Sequence, residues 1–343
     1  MAYSLSLHPY TLIFKKPAGT SRGVYRTRKV WYLHLTSSSY PGRVGIGECA
    51  PLPDLSHEYS SSFEQEIDTF VRSFQGRGEI DWEQLQSNSS LLFAMETALL
   101  HLQKGDYDFW DTPFARSEKG ITINGLIWMG SRADMLEQIE SKLNQGVNCI
   151  KLKIGAIDFE EELSLLHYIR ERFSAEELSL RVDANGAFTP DNVQERLIAL
   201  SRYDLHSIEQ PIAPKQFHLM RQLAQQSPLS IALDEELIGI HRRNEKVELL
   251  EAIAPQYIVL KPTLHGGIRG CAEWIEEARK RNIGWWITSA LESNIGLNAI
   301  AQWCATLDTT IPQGLGTGQL FTNNISLPLR VKGDTLWYNH RME

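Results

Sequence analysis

Between residues 149 and 155 the chain reads CIKLKIG, with apolar and charged positions in alternation. On an extended strand Ile150, Leu152 and Ile154 share one face, and Lys151 and Lys153 share the other. Two ammonium groups on one strand face are not ordinary core. Similar short apolar runs recur at 121–128, 178–186, 205–211, 229–236, 257–263, 284–292 and 314–318. Helical patterns such as MLEQIESKLNQG and GCAEWIEEARKRN fit between most of them, so the runs mark successive strand-plus-helix units. Eight units predict an α/β chain with a (β/α)8 TIM-type barrel. An open doubly wound sheet fits less well, because no GxGxxG follows the first strand.

The texture differs before residue 116. SLSLHPYTLIF and RKVWYLHLTS alternate as antiparallel strands do, and KKPAGTSRGVYRT between them reads as a mobile loop. SLLFAMETALLHLQKG has apolar residues at helical spacing between a Ser start and a Gly stop. The expected organisation is an α+β capping domain over 1–115, joined by the C-terminal segment 319–343, and a catalytic barrel over 116–318.

The 343 residues are enough for a barrel plus a smaller domain, and 42% of them are hydrophobic. A formal net charge of −8 argues against a general nucleic-acid binder but not against a small anionic substrate held by a local cluster of lysines or a metal. Cys49, Cys149, Cys271 and Cys304 are far apart without CxxC spacing, as in a reduced compartment. The start MAYSLSLHPYTLIFKK has no signal-peptide pattern, and no run approaches the ~18 apolar residues of a membrane span. A cytoplasmic protein without membrane or nucleic-acid partners is expected. Nothing in the sequence speaks to oligomeric state.

In such barrels chemistry sits at the C-terminal ends of the strands. Those ends carry Lys151 and Lys153, then Asp183, Glu209, Asp234 with Glu235 and Glu236, Lys261, and Ser289. Converging carboxylates without a counterion would raise one another's pKa, which a bound divalent cation would relieve. All-oxygen ligands suit Mg²⁺, with Mn²⁺ as a substitute, better than Zn²⁺. The third ligand is ambiguous: alternation groups Asp234 with Glu236 and puts Glu235 opposite. Arg181 shares a face with Asp183, either orienting a carboxylate from behind or forming an interior ion pair. Asn185 falls on that face too, to contact a ligand or cap the turn. Lys151 beside Lys153 would depress its pKa and make it a base. Two amines flanking a metal suit removal of a proton α to a carboxylate.

KLKIG, RVDANG, SIEQP, ALDEE and VLKPTLHGG together resemble the enolase superfamily, in its muconate-lactonizing-enzyme-like branch with a lysine on each side of the site. GIGECAPLP and FAMETALLHL look like its capping domain, so the resemblance covers nearly the whole chain. Within the branch, INGLIWMG and SALESNIG look like the o-succinylbenzoate synthase family of menaquinone biosynthesis. That resemblance implies a modified barrel and dehydration of a cyclohexadiene carboxylate. It assigns Lys153 as the base, Lys261 as the cation facing the ene-diolate, and Asp183, Glu209 and Asp234 as Mg²⁺ ligands. Substrate contacts would come from Ser289 and the backbone of Gly316, Thr317 and Gly318, with KPAGTSRGVYR closing over the site. Two rival readings are an N-succinylamino acid racemase or dipeptide epimerase on the same scaffold, and a catalytically silent metal-binding protein. GLGTGQL lacks the paired aspartates common in dipeptide epimerases.

Overall fold

The computed structural model describes residues 2–20 and 23–339. Its N-terminal part is an antiparallel sheet of β1 (Tyr3–Thr20), β2 (Gly23–Ser37) and β3 (Gly45–Cys49), in that order, with helices α1 (Phe63–Arg77), α2 (Trp82–Leu85) and α3 (Ser89–Lys104). The β1–β2 ladder runs through Ile13↔Thr27, shifts register, and resumes at Ala18↔Tyr25. Most of KKPAGTSRGVYRT is therefore strand rather than the expected loop; Ser21 and Arg22 lie outside the described residues. The irregularity spans Pro17, which has no N–H to give to a ladder. Beyond it Gly19 forms an antiparallel bridge to Met129 of the barrel.

Helix α3 begins at Asn88, whose side chain accepts from the Leu91 N–H, and closes on left-handed Gly105. It packs directly on β3. A Cβ at Gly47 would lie 1.9 Å from the Ala94 carbonyl oxygen, so glycine is what permits this approach.

The barrel is a seven-stranded parallel sheet of β5 (Gly125–Ile127), β6 (Cys149–Lys153), β7 (Ser179–Asp183), β8 (Ser207–Glu209), β9 (Ile231–Leu233), β10 (Tyr257–Leu260) and β11 (Gly284–Ile287). Helices α4 (Arg132–Asn144), α5 (Phe159–Arg170), α6 (Val193–Leu200), α7 (Phe217–Gln226), α8 (Arg243–Ile253) and α9 (Gly267–Lys280) alternate with these strands, and α10 (Asn294–Cys304) follows β11. The predicted first run divides, because β4 (Ile121–Thr122) precedes β5 and joins a different sheet. The predicted eighth strand is reduced to parallel bridges, Ile123↔Gln313 and Thr288↔Gly314, which link both sheet edges. Its glycines supply none of the branched side chains that favour a longer strand.

The C-terminal segment serves both parts. Leu320 and Thr322 hydrogen-bond along β1, at Lys15 and Ile13. By contrast, β12 (Leu329–Lys332) and β13 (Thr335–Tyr338) form a sheet with β4. Residues 340–343 lie outside the described residues.

Ile150, Leu152, Val182 and Ile208 point outward against the helices in one large core. At these burials each contributes roughly 1.5–3 kcal/mol. Ala232, Val259 and Trp286 fill the barrel interior below the site. No helix among the described residues is long and apolar enough to cross a membrane.

Candidate active site

Strand register assembles the site. Lys153 pairs with Asp183, and Asp183 with Glu209, so three ionisable groups stand abreast at the C-terminal ends of β6, β7 and β8. One layer below, Lys151 pairs with Arg181, and Arg181 with Ser207. Asp234 follows β9 directly, and Lys261 follows β10.

Past Asp234 the chain enters a single 3₁₀ turn, Glu235–Leu237, so strand alternation does not extend to Glu236. Gln210 shapes this turn. Its side-chain oxygen accepts from the Asp234 and Glu236 N–H groups, both at 3.2 Å, and its amide donates to Glu236. Glu236 is drawn away, accepting from the Lys215 N–H at 2.6 Å, while Asp234 stays inside and fully buried.

The lysines neutralise the acids in a fixed pattern. Lys151 Nζ lies 2.9 Å from Asp183 and 2.5 Å from Glu209. Lys153 Nζ lies 3.3 Å from Asp183 and donates to Asn185 Oδ1 at 2.8 Å. Lys261 donates to Asp234. Burial lowers the pKa of Lys153; Asp183 opposes this, and Lys151 and Lys261 add to the lowering. For Lys261 burial also favours the neutral amine, but Asp234, Glu209 and Glu235 outweigh it and the pKa is raised. Lys151 is raised in the same way by Asp183 and Glu209. The two lysines flanking the site are thus biased oppositely, one toward amine and one toward ammonium.

The acids differ as well. Burial would raise Asp183, but Lys151, Lys153 and Lys261 hold it well below the usual carboxylate range. Burial, reinforced by Asp183, pushes Glu209 up to about 8 despite Lys151. Glu209 Oε1 and Asp234 Oδ1 are buried without a hydrogen-bond partner. A glutamate that is costly to ionise without a nearby cation, beside unpartnered carboxylate oxygens, is a donor set that fits a hard divalent cation. Among the described residues no three His, Cys, Asp or Glu side chains close on one point, because Lys151 stands between Asp183 and Glu209 and Lys261 holds Asp234.

Asn185, in a left-handed conformation at φ 46°, bridges Lys153 and Glu235, to which its amide donates at 3.0 Å. It positions the lysine rather than capping the next turn. Arg181 makes its direct contacts away from the carboxylates, and Glu209 acts on it as a nearby charge. Its guanidinium lies 4.3 Å from the Trp286 ring centroid and donates to the Pro312 carbonyl at 2.9 Å. Lys151, its register partner in the same layer, makes the direct contacts with Asp183 and Glu209.

A cavity of about 890 Å³ opens above these groups, between the β1–β2 hairpin and the barrel. Lys151, Lys153, Asp183, Asn185, Lys261, Ser289, Gly316 and Thr317 line it. Ser289 and Thr317 hydroxyls are joined at 2.6 Å. Gly318 turns toward α10, where an added Cβ would lie 2.8 Å from Asn294 Oδ1. Lys15, Pro17 and Gly19 bring the hairpin over the cavity from the N-terminal sheet.

Three residues of the site lay unassigned in the sequence. Gln210 stands in SIEQP, but a glutamine beside a candidate ligand gives no sign that it shapes another strand's exit. His265, in LHGG, accepts from the Lys261 N–H at 2.9 Å, and its Nε2 lies 3.9 Å from Asp234. Burial lowers its pKa to about 3, which keeps it neutral. Trp128 lines the cavity from INGLIWMG, where it reads as one more apolar strand residue.

The family model described as enolase C-terminal domain-like matches residues 134–332. An o-succinylbenzoate synthase of Desulfotalea psychrophila is 47% identical, covering 97% of this chain and 98% of the relative. The crystal structure of MenC from the same organism superimposes with a TM-score of 0.86 at 43% identity, over 98% of this chain and all of that one. The L-Ala-D/L-Glu epimerase of Bacillus subtilis superimposes with a TM-score of 0.82 at 19% identity, over 99% of this chain and 97% of its own, a likeness of fold alone. The chain belongs to the o-succinylbenzoate synthase family, among the proteins with an enolase C-terminal domain-like barrel.

Proposed function

We propose that this chain dehydrates 2-succinyl-6-hydroxy-2,4-cyclohexadiene-1-carboxylate to 2-succinylbenzoate, the o-succinylbenzoate synthase reaction of menaquinone biosynthesis. The observation that carries this reading is the 47% identity over nearly the full length of a relative bearing that name. The opposite bias of Lys153 and Lys261 supports it in chemical terms.

Lys153, as the amine, takes the proton α to the ring carboxylate. The electron pair moves toward the carboxylate, where the Lys261 ammonium faces the developing charge. The pair then returns to form the new ring double bond as the C–O bond breaks. The proton from the Lys153 ammonium leaves with the hydroxyl as water, which restores the amine. Asp183, Glu209 and Asp234 would hold Mg²⁺ or Mn²⁺, which when bound supplies positive charge to the carboxylate. Asn185 holds the Lys153 amine in place, and Ser289, Gly316 and Thr317 stand where the substrate's other end would lie. The residues before 116 would act as the cap and 116–318 as the catalytic barrel.

The test is turnover of the diene followed by ultraviolet absorbance, with and without EDTA. Dehydration that EDTA abolishes and Mg²⁺ restores is expected; no dehydration in the metal-loaded protein would sink the reading. The rival racemase needs a working base on each face, and the raised pKa of Lys261 disfavours that. Rapid α-exchange of both enantiomers of an N-succinylamino acid in D₂O, without dehydration of the diene, would promote it.

The state of Glu209 predicts how the cation binds. Its pKa of about 8 in the folded chain exceeds the ordinary value of about 4.3, so between these values the folded state carries a proton the unfolded state lacks. In metal-free protein the protonated carboxyl is favoured at low pH, and stability falls as pH rises toward 8. Binding a cation to the carboxylate releases that proton. Mg²⁺ affinity, measured by calorimetry, should therefore rise up to about tenfold per pH unit below pH 8 and level off above it. Glu209→Gln should bind weakly with a flatter profile. A flat wild-type profile from pH 6 to 9 would show that Glu209 is already ionised before the cation binds; unchanged affinity in Glu209→Gln would show that it is not a ligand.

A further inference from the structure

Trp128 sits where β5 runs out of partners. Strand pairing with β6 ends at Ile127, yet both backbone groups of Trp128 are satisfied by one side chain. Gln138 of α4 accepts from the Trp128 N–H at 2.8 Å and donates to its carbonyl at 3.1 Å. A primary amide presents an acceptor and a donor side by side, as a neighbouring strand would. The next residue, Met129, is pinned from the other side by its bridge to Gly19 of the hairpin. An added Cβ at Gly19 would lie 2.3 Å from the Met129 carbonyl, so the approach is close. The backbone carrying Trp128 is held more firmly than a strand end requires.

The indole so held lines the cavity, with Lys153 Nζ 5.9 Å from its ring centroid. A carbon that gives its proton to Lys153 must come within about 3–3.5 Å of that nitrogen. A six-membered ring containing that carbon then lies within reach of the indole. Leu52, Ile123, Met129, Trp286 and Leu320 also line the cavity, but Trp128 is the aromatic ring that the structure sets against Lys153 Nζ, where a flat ring giving up its proton would lie. The product ring is planar and aromatic, so it too can pair with the indole.

We infer that Trp128 contacts the substrate, bearing the face of its six-membered ring, and that Gln138 is the positioning residue that holds it there. This rests on the dehydration proposed above.

The experiment compares Trp128→Leu, Trp128→Phe and Gln138→Leu in the full chain with Mg²⁺. Diene kinetics give kcat and KM, and calorimetry gives the affinity for 2-succinylbenzoate, which needs no turnover. Loss of one aromatic pair corresponds to roughly a 3- to 10-fold change. Trp128→Leu should raise KM and weaken product binding together by about that factor, and Trp128→Phe should recover most of both. Gln138→Leu should raise KM in the same direction, with Mg²⁺ affinity unchanged in all three. A Trp128→Leu protein that binds product as tightly as wild type and loses only kcat would overturn the assignment, because the indole would then act on Lys153 alone. Unchanged KM in Gln138→Leu would remove the positioning role. If Trp128→Leu does not fold, the Phe and Gln138 variants decide. Wild-type protein that neither dehydrates the diene nor binds the product removes the reading of function itself. Wild type that does both, beside a Trp128→Leu variant with normal product binding, removes only the aromatic platform.

Discussion

Lys153→Ala should lower kcat by several orders of magnitude while the protein stays folded and binds Mg²⁺. General-base catalysis alone is worth roughly 10²–10⁴-fold, and here the same amine returns the proton to the leaving hydroxyl, so one substitution removes two steps. The fold tolerates the change because Asp183 keeps Lys151 at 2.9 Å, while Lys153 is the more distant partner at 3.3 Å. Lys261 separates charge from basicity. Its raised pKa marks an ammonium, so Lys261→Arg keeps the charge and should retain more activity than Lys153→Arg, which cannot readily give up a proton. Diene turnover by the two arginine variants, beside Lys153→Ala, is the measurement. A Lys153→Ala enzyme keeping more than about a tenth of wild-type kcat would assign the base elsewhere, because it would fall short of the smallest general-base effect. Equal loss in the two arginine variants would remove the distinction between the lysines.

Much of this site could be read from the sequence because parallel strands convert spacing into geometry. Lys153, Asp183 and Glu209 end successive runs, and a parallel ladder puts successive strand ends side by side. The barrel followed for the same reason. What escaped lies where the chain leaves its strands. Period-two reasoning grouped Glu236 with Asp234, but the 3₁₀ turn at Glu235–Leu237 breaks the period, and Gln210, from the neighbouring strand, enforces that break. Arg181 shares a face with Asp183 as alternation says, yet its guanidinium lies over Trp286 and donates to the Pro312 carbonyl, while Lys151 of the same layer makes the direct contacts with the carboxylates. Alternation gives the face but not the partner. The hairpin at 15–27 read as a loop because Gly, Pro and Lys depress strand propensity. Its pairing rests instead on a long register with β2 and on the tertiary bridge from Gly19 to Met129. Trp128 and Gln138 are ten residues apart on a strand end and a helix, and no periodicity links them.

Lys151→Met should be the most destabilising single change in the site when no metal is present. Lys151 is buried and is the closest cation to both Asp183 and Glu209. Methionine fills a similar volume but leaves Asp183 and Glu209 abreast on neighbouring strands, with Lys153 at Asp183 and Lys261 acting on both as a more distant charge. Removing one partner of a buried ion pair costs about 3–5 kcal/mol, because the remaining charge is left without compensation. The same argument predicts two kinds of recovery. Adding Glu209→Gln removes the acid already hardest to ionise, so the double variant should melt above Lys151→Met in EDTA. Saturating Mg²⁺ supplies the missing positive charge to the folded state alone and should narrow the gap to wild type. Thermal melts of wild type, Lys151→Met and the double variant, each in EDTA and in Mg²⁺, give all the comparisons. If Lys151→Met melts with wild type in EDTA, Lys151 is not the counterion that holds the acids together. If it melts low and Mg²⁺ leaves the gap unchanged, the three acids are not where the cation binds. Activity is the poorer readout for this residue. Removing Lys151 frees Asp183 and Glu209 as well as unburdening Lys153, so a displaced pH–rate profile would report all three groups together.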